Sequence, residues 1–211
     1  PEKKIALLTR IEGLKIDPII SEELNRVAKN LENSGWIIEE PEAPNFQEAA
    51  NFQATLWLGE FRRTGGEAIS KENDPDSNFI YSQMSRRCPD TSLEKFMDSL
   101  QQRARISREW NKFFDKYPII LCPITGDIPF PDLKDLESKE AFDLVFDSML
   151  PQIAPPYMGL PGLSFATSQT KQNIPLGVQF ISRKFREDLL LNVAYDLEKY
   201  YPKIEPALPS F

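Results

Sequence analysis

The chain has 211 residues, 41% hydrophobic and 27% charged, which is the balance of a globular protein with enough apolar surface to build a buried core. Its formal charge of -7, with Lys and Arg scattered among acids, gives no basic field to attract phosphates, so direct nucleic-acid binding is not expected. Histidine is absent, which excludes a Ser-His-Asp triad, a Cys-His dyad and His-ligated zinc within these residues.

No apolar run approaches the ~20 residues needed to span a bilayer, and the first residues lack signal-peptide architecture, so a soluble, cytoplasmic protein without a membrane partner is expected. Cys88 and Cys122 are not a close pair of the kind that binds metal, and both are expected to be reduced and non-catalytic. Neither metal nor organic cofactor is expected. Pro1 stands where a Met would begin a gene product, which suggests that polypeptide is missing upstream.

Residues 3–9, KKIALLT, form a short apolar run read as a strand. Asp17 and Pro18 then supply a cap and a first-turn residue, and Ile20, Leu24, Val27, Ala28 and Leu31 recur at helical spacing, predicting a helix over 18–34 that stops at Gly35. Glu22 and Glu23 are expected near its positive end. Residues 36–38 give a second strand before the breakers Pro41 and Pro44, so the opening is strand-helix-strand and the fold class is α/β, a mixed sheet flanked by helices.

Residues 46–70 read as helical with a break at Gly65-Gly66, and the polar stretch 71–90, containing Pro75 and Pro89, reads as a loop with a helical turn or more. Thr91 and Glu94 have capping-box spacing, and Leu93, Phe96, Met97, Leu100, Ala104, Trp110 and Phe114 outline an apolar stripe on a long helix ending near 116. Residues 118–122, PIILC, are too short and aliphatic for an amphipathic helix and read as a buried strand, followed by a proline-rich loop to 132. A helix over 138–150 precedes Pro151, Pro155 and Pro156. GLPGLSFAT and PLGVQFIS then read as two strands that pair across a polar connection at 168–173. Leu189, Leu190, Val193, Ala194 and Leu197 predict a last helix, and the tail after Tyr201 is expected to end ordered structure.

The segment 156–198, PYMGLPGLSFATSQTKQNIPLGVQFISRKFREDLLLNVAYDLE, resembles the closing segment of amidase-signature enzymes. Its order carries the resemblance: a Gly-Leu-Pro-Gly turn into a strand, a polar connection, a Pro-Leu-Gly-Val-Gln strand, and a helix with acids in its first turn. The opening KKIALLT strand with its helix, the arginine-bearing helix ending in NKFFDKYPIILCPITG, and the FPDL loop fit the same family in the same order. The resemblance implies an amide hydrolase in which a serine attacks the carbonyl, a second serine on a cis peptide relays the proton and a lysine acts as base.

In that family these residues lie in a Gly- and Ser-rich stretch upstream of the segment matched here. Ser82, Ser85, Ser164 and Ser168 do not sit in such a turn, so no catalytic residue is assigned to this chain. The whole of 1–211 is expected to be the C-terminal portion of an amidase domain, inactive alone, prone to self-association through an exposed sheet edge or apolar face and walling a small-molecule amide site.

Substrate-wall candidates at strand ends and loops are Thr125, Tyr157, Met158 and Gly159. Trp57, Phe61 and Tyr81 are candidates for an acyl pocket, with core packing as the alternative. Arg103 falls where the family often places an arginine, and Arg105 and Arg108 follow it at spacings that cannot all share one helix face, so at least one is solvated; a structural ion pair and substrate-carboxylate recognition are the two roles open. The run Arg183 to Asp188 reads as a helix start. A glutamine-hydrolysing subunit of a glutamyl-tRNA amidotransferase fits less well, since its usual Asn-Leu-Ala before Gly-Leu-Pro is Pro156-Tyr157-Met158 here. A non-catalytic interaction domain is the remaining alternative.

Overall fold

A computed structural model of the chain describes residues 3–201, and the expected proline-rich tail lies outside them. Five strands form one mixed sheet in the order β2-β1-β3-β5-β4. β1 (Lys4–Leu7) runs parallel to β2 (Ile37–Glu39) and to β3 (Ile119–Cys122), while β5 (Pro175–Ser182) is antiparallel to both β3 and β4 (Gly162–Gln169). The last two strands are therefore sheet neighbours, as their sequence suggests.

Parallel β1 and β2 need a crossover, and α1 (Pro18–Asn33) supplies it. Asp17 caps the helix by accepting from the Ile19 N–H at 2.8 Å, with Pro18 in the first turn where its missing N–H has no helical partner to lose. Glu22 and Glu23 fall beyond the first turn, correcting the expected dipole role. Glu23 is instead buried, where its carboxylate accepts from Arg26 and from Ser168 Oγ at 3.1 Å, tying α1 to β4.

Alternation along the strands assigns each sheet face its own core. Ile5, Leu7, Ile119, Leu121, Val178 and Phe180 meet α1 and the last helix, α8 (Glu187–Glu198). On the other face Ala6, Leu8, Ile120, Cys122 and Ile181 meet a helical layer. Covering on both faces is why β3 tolerates no polar residue, and each such buried side chain contributes about 1.5–3 kcal/mol.

The helical layer contains α2 (Phe46–Thr64), α3 (Gly66–Glu72), α4 (Pro75–Arg87), α5 (Leu93–Phe114), α6 (Lys139–Ser148) and α7 (Leu150–Met158). The stretch expected to be mainly loop is largely helix α4: Asp74 caps it by accepting from the Ser77 N–H at 2.7 Å, and Pro75 is a helix-starting proline. The cap of α5 is Ser92 and not Thr91, accepting from Lys95 N at 3.3 Å. The expected apolar stripe on α5 divides. Trp110 and Phe114 are buried with Ile106, whereas Leu93, Met97 and Leu100 are exposed.

A further correction concerns α7, a helix placed where three prolines were expected to end one. Pro151 sits in its first turn, and Pro155 cannot donate to the Pro151 carbonyl. Gln179 of β5 replaces that bond, its Nε2 donating to Pro151 O at 3.0 Å. The side chain of a strand residue thus stands in for a missing helix hydrogen bond and pins α7 to the sheet.

Candidate functional site

The end of β3 leads through Pro123 and Ile124 to Thr125. Two backbone bonds fix this loop: Asp17 N–H donates to Gly126 O and Gly126 N–H donates to Ser148 O, each at 2.8 Å. A side chain at Gly126 would bring its Cβ within 2.3 Å of Lys15 O, so close approach of backbone requires glycine here. Thr125 is held in turn, its Oγ1 donating to Asp127 O at 2.6 Å.

Thr125 lines a cleft of 320 Å³ with Ile124, Phe130, Met149, Gln152 and Gly177. A neighbouring hollow of 260 Å³ shares Ile124 and Gln152 and adds Pro155, Ser164, Gln179 and Ile181. The two form one strand-end cleft where β3, β4 and β5 meet the α6–α7 turn. Its walls are mostly apolar, with Thr125, Ser148, Gln152, Ser164 and Gln179 as the neutral polar groups, an arrangement suited to orienting a small polar molecule. Asp127 is the ionisable residue among the described lining of these two hollows.

The other candidates are dispersed. Tyr157 and Met158 are buried in α7, 0% and 5% exposed. The Tyr157 ring stacks on Phe52 with centroids 5.7 Å apart, and its hydroxyl donates to the Ser99 carbonyl. Burial raises the Tyr157 hydroxyl above its ordinary pKa. Gly159 ends α7 in the left-handed conformation at φ 66. Tyr81 packs edge-on to Phe61 at 5.8 Å in a groove beside α4. Arg103 lies over the Tyr157 ring at 5.4 Å, while Arg105 pairs with Glu48 and Glu109. Trp57 borders a different cavity, on the helical side.

The serines also separate. Ser82 Oγ donates to Phe79 O within α4 at 2.7 Å, Ser168 to Glu23, and Ser164 lies in the strand-end cleft opposite Gln179 in the β4–β5 register. Cys122 is fully buried and its thiol is pushed up to about 12 by desolvation, so it is not a nucleophile at neutral pH. Glu187 and Asp188 occupy the first turn of α8, where the helix-start reading puts them, while Arg183 donates to Asn111 O at 2.9 Å. No group of three or more Cys, Asp or Glu among the described residues could hold a metal ion, and no described helix is long and apolar enough to cross a membrane.

Gln152, Ser164 and Gln179 enter the cleft without having been singled out as pocket residues. The available signal was Gln179, a polar side chain inside the apolar strand PLGVQFIS, where an unmatched amide would be costly.

With this scaffold in view, comparison with known proteins is decisive about family. The model of the family described as Amidase matches residues 1–191, and the chain belongs to that family. Indoleacetamide hydrolase of Bradyrhizobium diazoefficiens is 26% identical over 92% of this chain and 37% of its own length. A glutamyl-tRNA(Gln) amidotransferase subunit of Gloeothece citriformis is 23% identical over 98% of this chain and 47% of its own. A solved structure of fatty acid amide hydrolase superposes with a TM-score of 0.74 at 16% identity, covering 94% of this chain and 40% of that one. The chain thus spans less than half the length of these relatives.

Proposed function

We propose that the protein containing this chain hydrolyses carbon–nitrogen amide bonds, and that these residues supply part of its substrate wall. The observation that carries the reading is the Amidase family match across 1–191. In this proposal the strand-end cleft orients the amide through Thr125, Gln152 and Ser164, while the attacking serine, the relay serine and the lysine base lie on polypeptide beyond these 211 residues. The described cleft supports that division: its neutral amides and hydroxyls can position a carbonyl, but its lining contains no lysine to accept a proton.

The indoleacetamide hydrolase relatives favour a primary amide of an apolar acid as substrate, and a cytoplasmic setting belongs to the same proposal. The test is ammonia release by the longer gene product from indole-3-acetamide, simple alkyl amides and glutamine. Turnover of the apolar amides supports the reading. Turnover of glutamine alone would favour the amidotransferase reading, to which the glutamyl-tRNA(Gln) amidotransferase relatives point. No turnover of any would leave the interaction-domain alternative.

The outer side of β4 has no sheet neighbour among the described strands. Self-association of the isolated chain through this edge belongs to the proposal and is expected as concentration-dependent mass in light scattering; a monomer at all concentrations would remove it.

A further inference from the structure

The strand-end cleft is unbalanced in charge. Apolar side chains wall its two hollows, among them Ile20, Ile124, Phe130, Leu176 and Ile181, and its polar groups are neutral except for Asp127. That carboxylate has no ion-pair partner among the described residues.

The backbone fixes where the charge stands. Asp127 Oδ1 accepts from the Ile128 N–H at 2.9 Å, and the Asp127 carbonyl accepts from Thr125 Oγ1 at 2.6 Å. The acid and the hydroxyl that orients the amide thus belong to one turn. Gly126 between them is anchored on both sides, its carbonyl accepting from the Asp17 N–H and its own N–H donating to Ser148 O. Swinging the carboxylate out of the cleft by moving the turn would break its bonds to the cap of α1 and the end of α6.

One lone-pair face of the carboxylate remains open, since Oδ2 accepts from no donor among the described residues. Lys15 and Asp17, whose backbones touch Gly126, carry opposite charges, and neither lines the cleft. A bound molecule therefore meets an uncompensated negative charge beside apolar walls, where like charges repel more strongly than in bulk water.

We infer that Asp127 is a specificity-determining residue, a charge filter that rejects amides whose acyl part bears a carboxylate and admits neutral and cationic ones. The inference rests on the amide-hydrolase reading of the cleft and goes beyond it. Thr125, Gln152 and Ser164 can hold the amide of any substrate, whereas Asp127 discriminates by what the rest of the molecule carries.

Three primary amides of matched length test it with the longer gene product: hexanamide, 6-aminohexanamide and the monoamide of adipic acid, which end in a methyl, an ammonium and a carboxylate. At low ionic strength kcat/KM for the monoamide is expected at least about tenfold below that for hexanamide, with 6-aminohexanamide within about threefold of hexanamide. Asp127→Asn keeps an acceptor for the Ile128 N–H and removes the charge. It should narrow the hexanamide-to-monoamide ratio to about threefold or less and weaken 6-aminohexanamide relative to hexanamide. Ratios taken within one enzyme cancel any general loss of fold or activity, so a residue with a merely structural role would leave them unchanged, and unchanged ratios overturn the inference. Equal turnover of the monoamide and hexanamide by the unmodified enzyme also overturns it. Turnover of none of the three removes the hydrolase reading and the filter with it, a result distinct from turnover without discrimination.

Discussion

The sheet and the helical layer over one of its faces follow different rules. Every residue of β3 is buried, while α4 buries none and α5 leaves Leu93, Met97 and Leu100 at 72%, 48% and 39% exposed. A strand covered on both faces admits apolar side chains, or a polar one where, like Gln179, it finds a buried partner. The helices are held at fewer points and enclose space between them, so the inner wall gives the strand-end cleft its rigidity and the outer helices leave room for a second cavity.

That contrast can be broken most severely where the two regions are joined. Tyr157 is the buried connection between α7, Phe52 of α2 and the Ser99 carbonyl of α5, and Tyr157→Ala is expected to cost about 4 kcal/mol in urea unfolding. Tyr157→Phe, which removes the hydroxyl alone, should cost roughly 1–2 kcal/mol. Equal, near-zero effects would mean that the layers are not coupled there.

The Gln179 bridge to Pro151 should come next. Gln179→Leu leaves a buried carbonyl without its donor and is expected to lose about 2 kcal/mol, with amide exchange rising in α7 before it rises in β5. Uniform exchange across both elements would contradict the role given to this side chain.

On the outer helices the effects shrink. Hydrogen bonds from Arg87, aided by Arg86, hold the Asp143 carboxyl below its ordinary pKa despite some desolvation. A lowered folded-state pKa gives stability that is present above the ordinary carboxylate range and is lost as pH falls through it toward the folded value. The contribution is small for a partly exposed group, roughly 0.5 kcal/mol, and Asp143→Asn should flatten that acid limb of the stability curve. Smallest of all, Met97→Ser should change stability by no more than about 0.5 kcal/mol, although its spacing on the helix suggests a core residue.

The same division explains what the sequence revealed. Strand β3 announces itself because burial on both faces favours apolar residues, as in IILC, and α1 because Asp17-Pro18 is a local start signal. Helix α4 carries no apolar periodicity since it buries nothing, so its polar sequence and first-turn Pro75 resemble a loop. Helix α7 was hidden by Pro155 and Pro156, and the residue that compensates Pro155 is 24 positions away in β5.

The site was legible to the extent that it is local. Thr125 follows a recognisable strand and does line a cleft, but the convergence of Gln152, Ser164 and Gln179 depends on β5 pairing with both β3 and β4. Tyr157 and Met158 precede the Gly-Leu-Pro-Gly turn in sequence, yet the helical twist of α7 points them away from the strand ends and into the layer beneath α2.

Family membership and the absence of a proton-accepting lysine from the described cleft lead to one quantitative comparison: ammonia release from indole-3-acetamide by the longer gene product and by residues 1–211 alone, at equal concentration. Turnover by the former, with none above background from the latter, is the expected result. Turnover by the 211 residues in isolation would contradict the division of labour between scaffold and reacting groups.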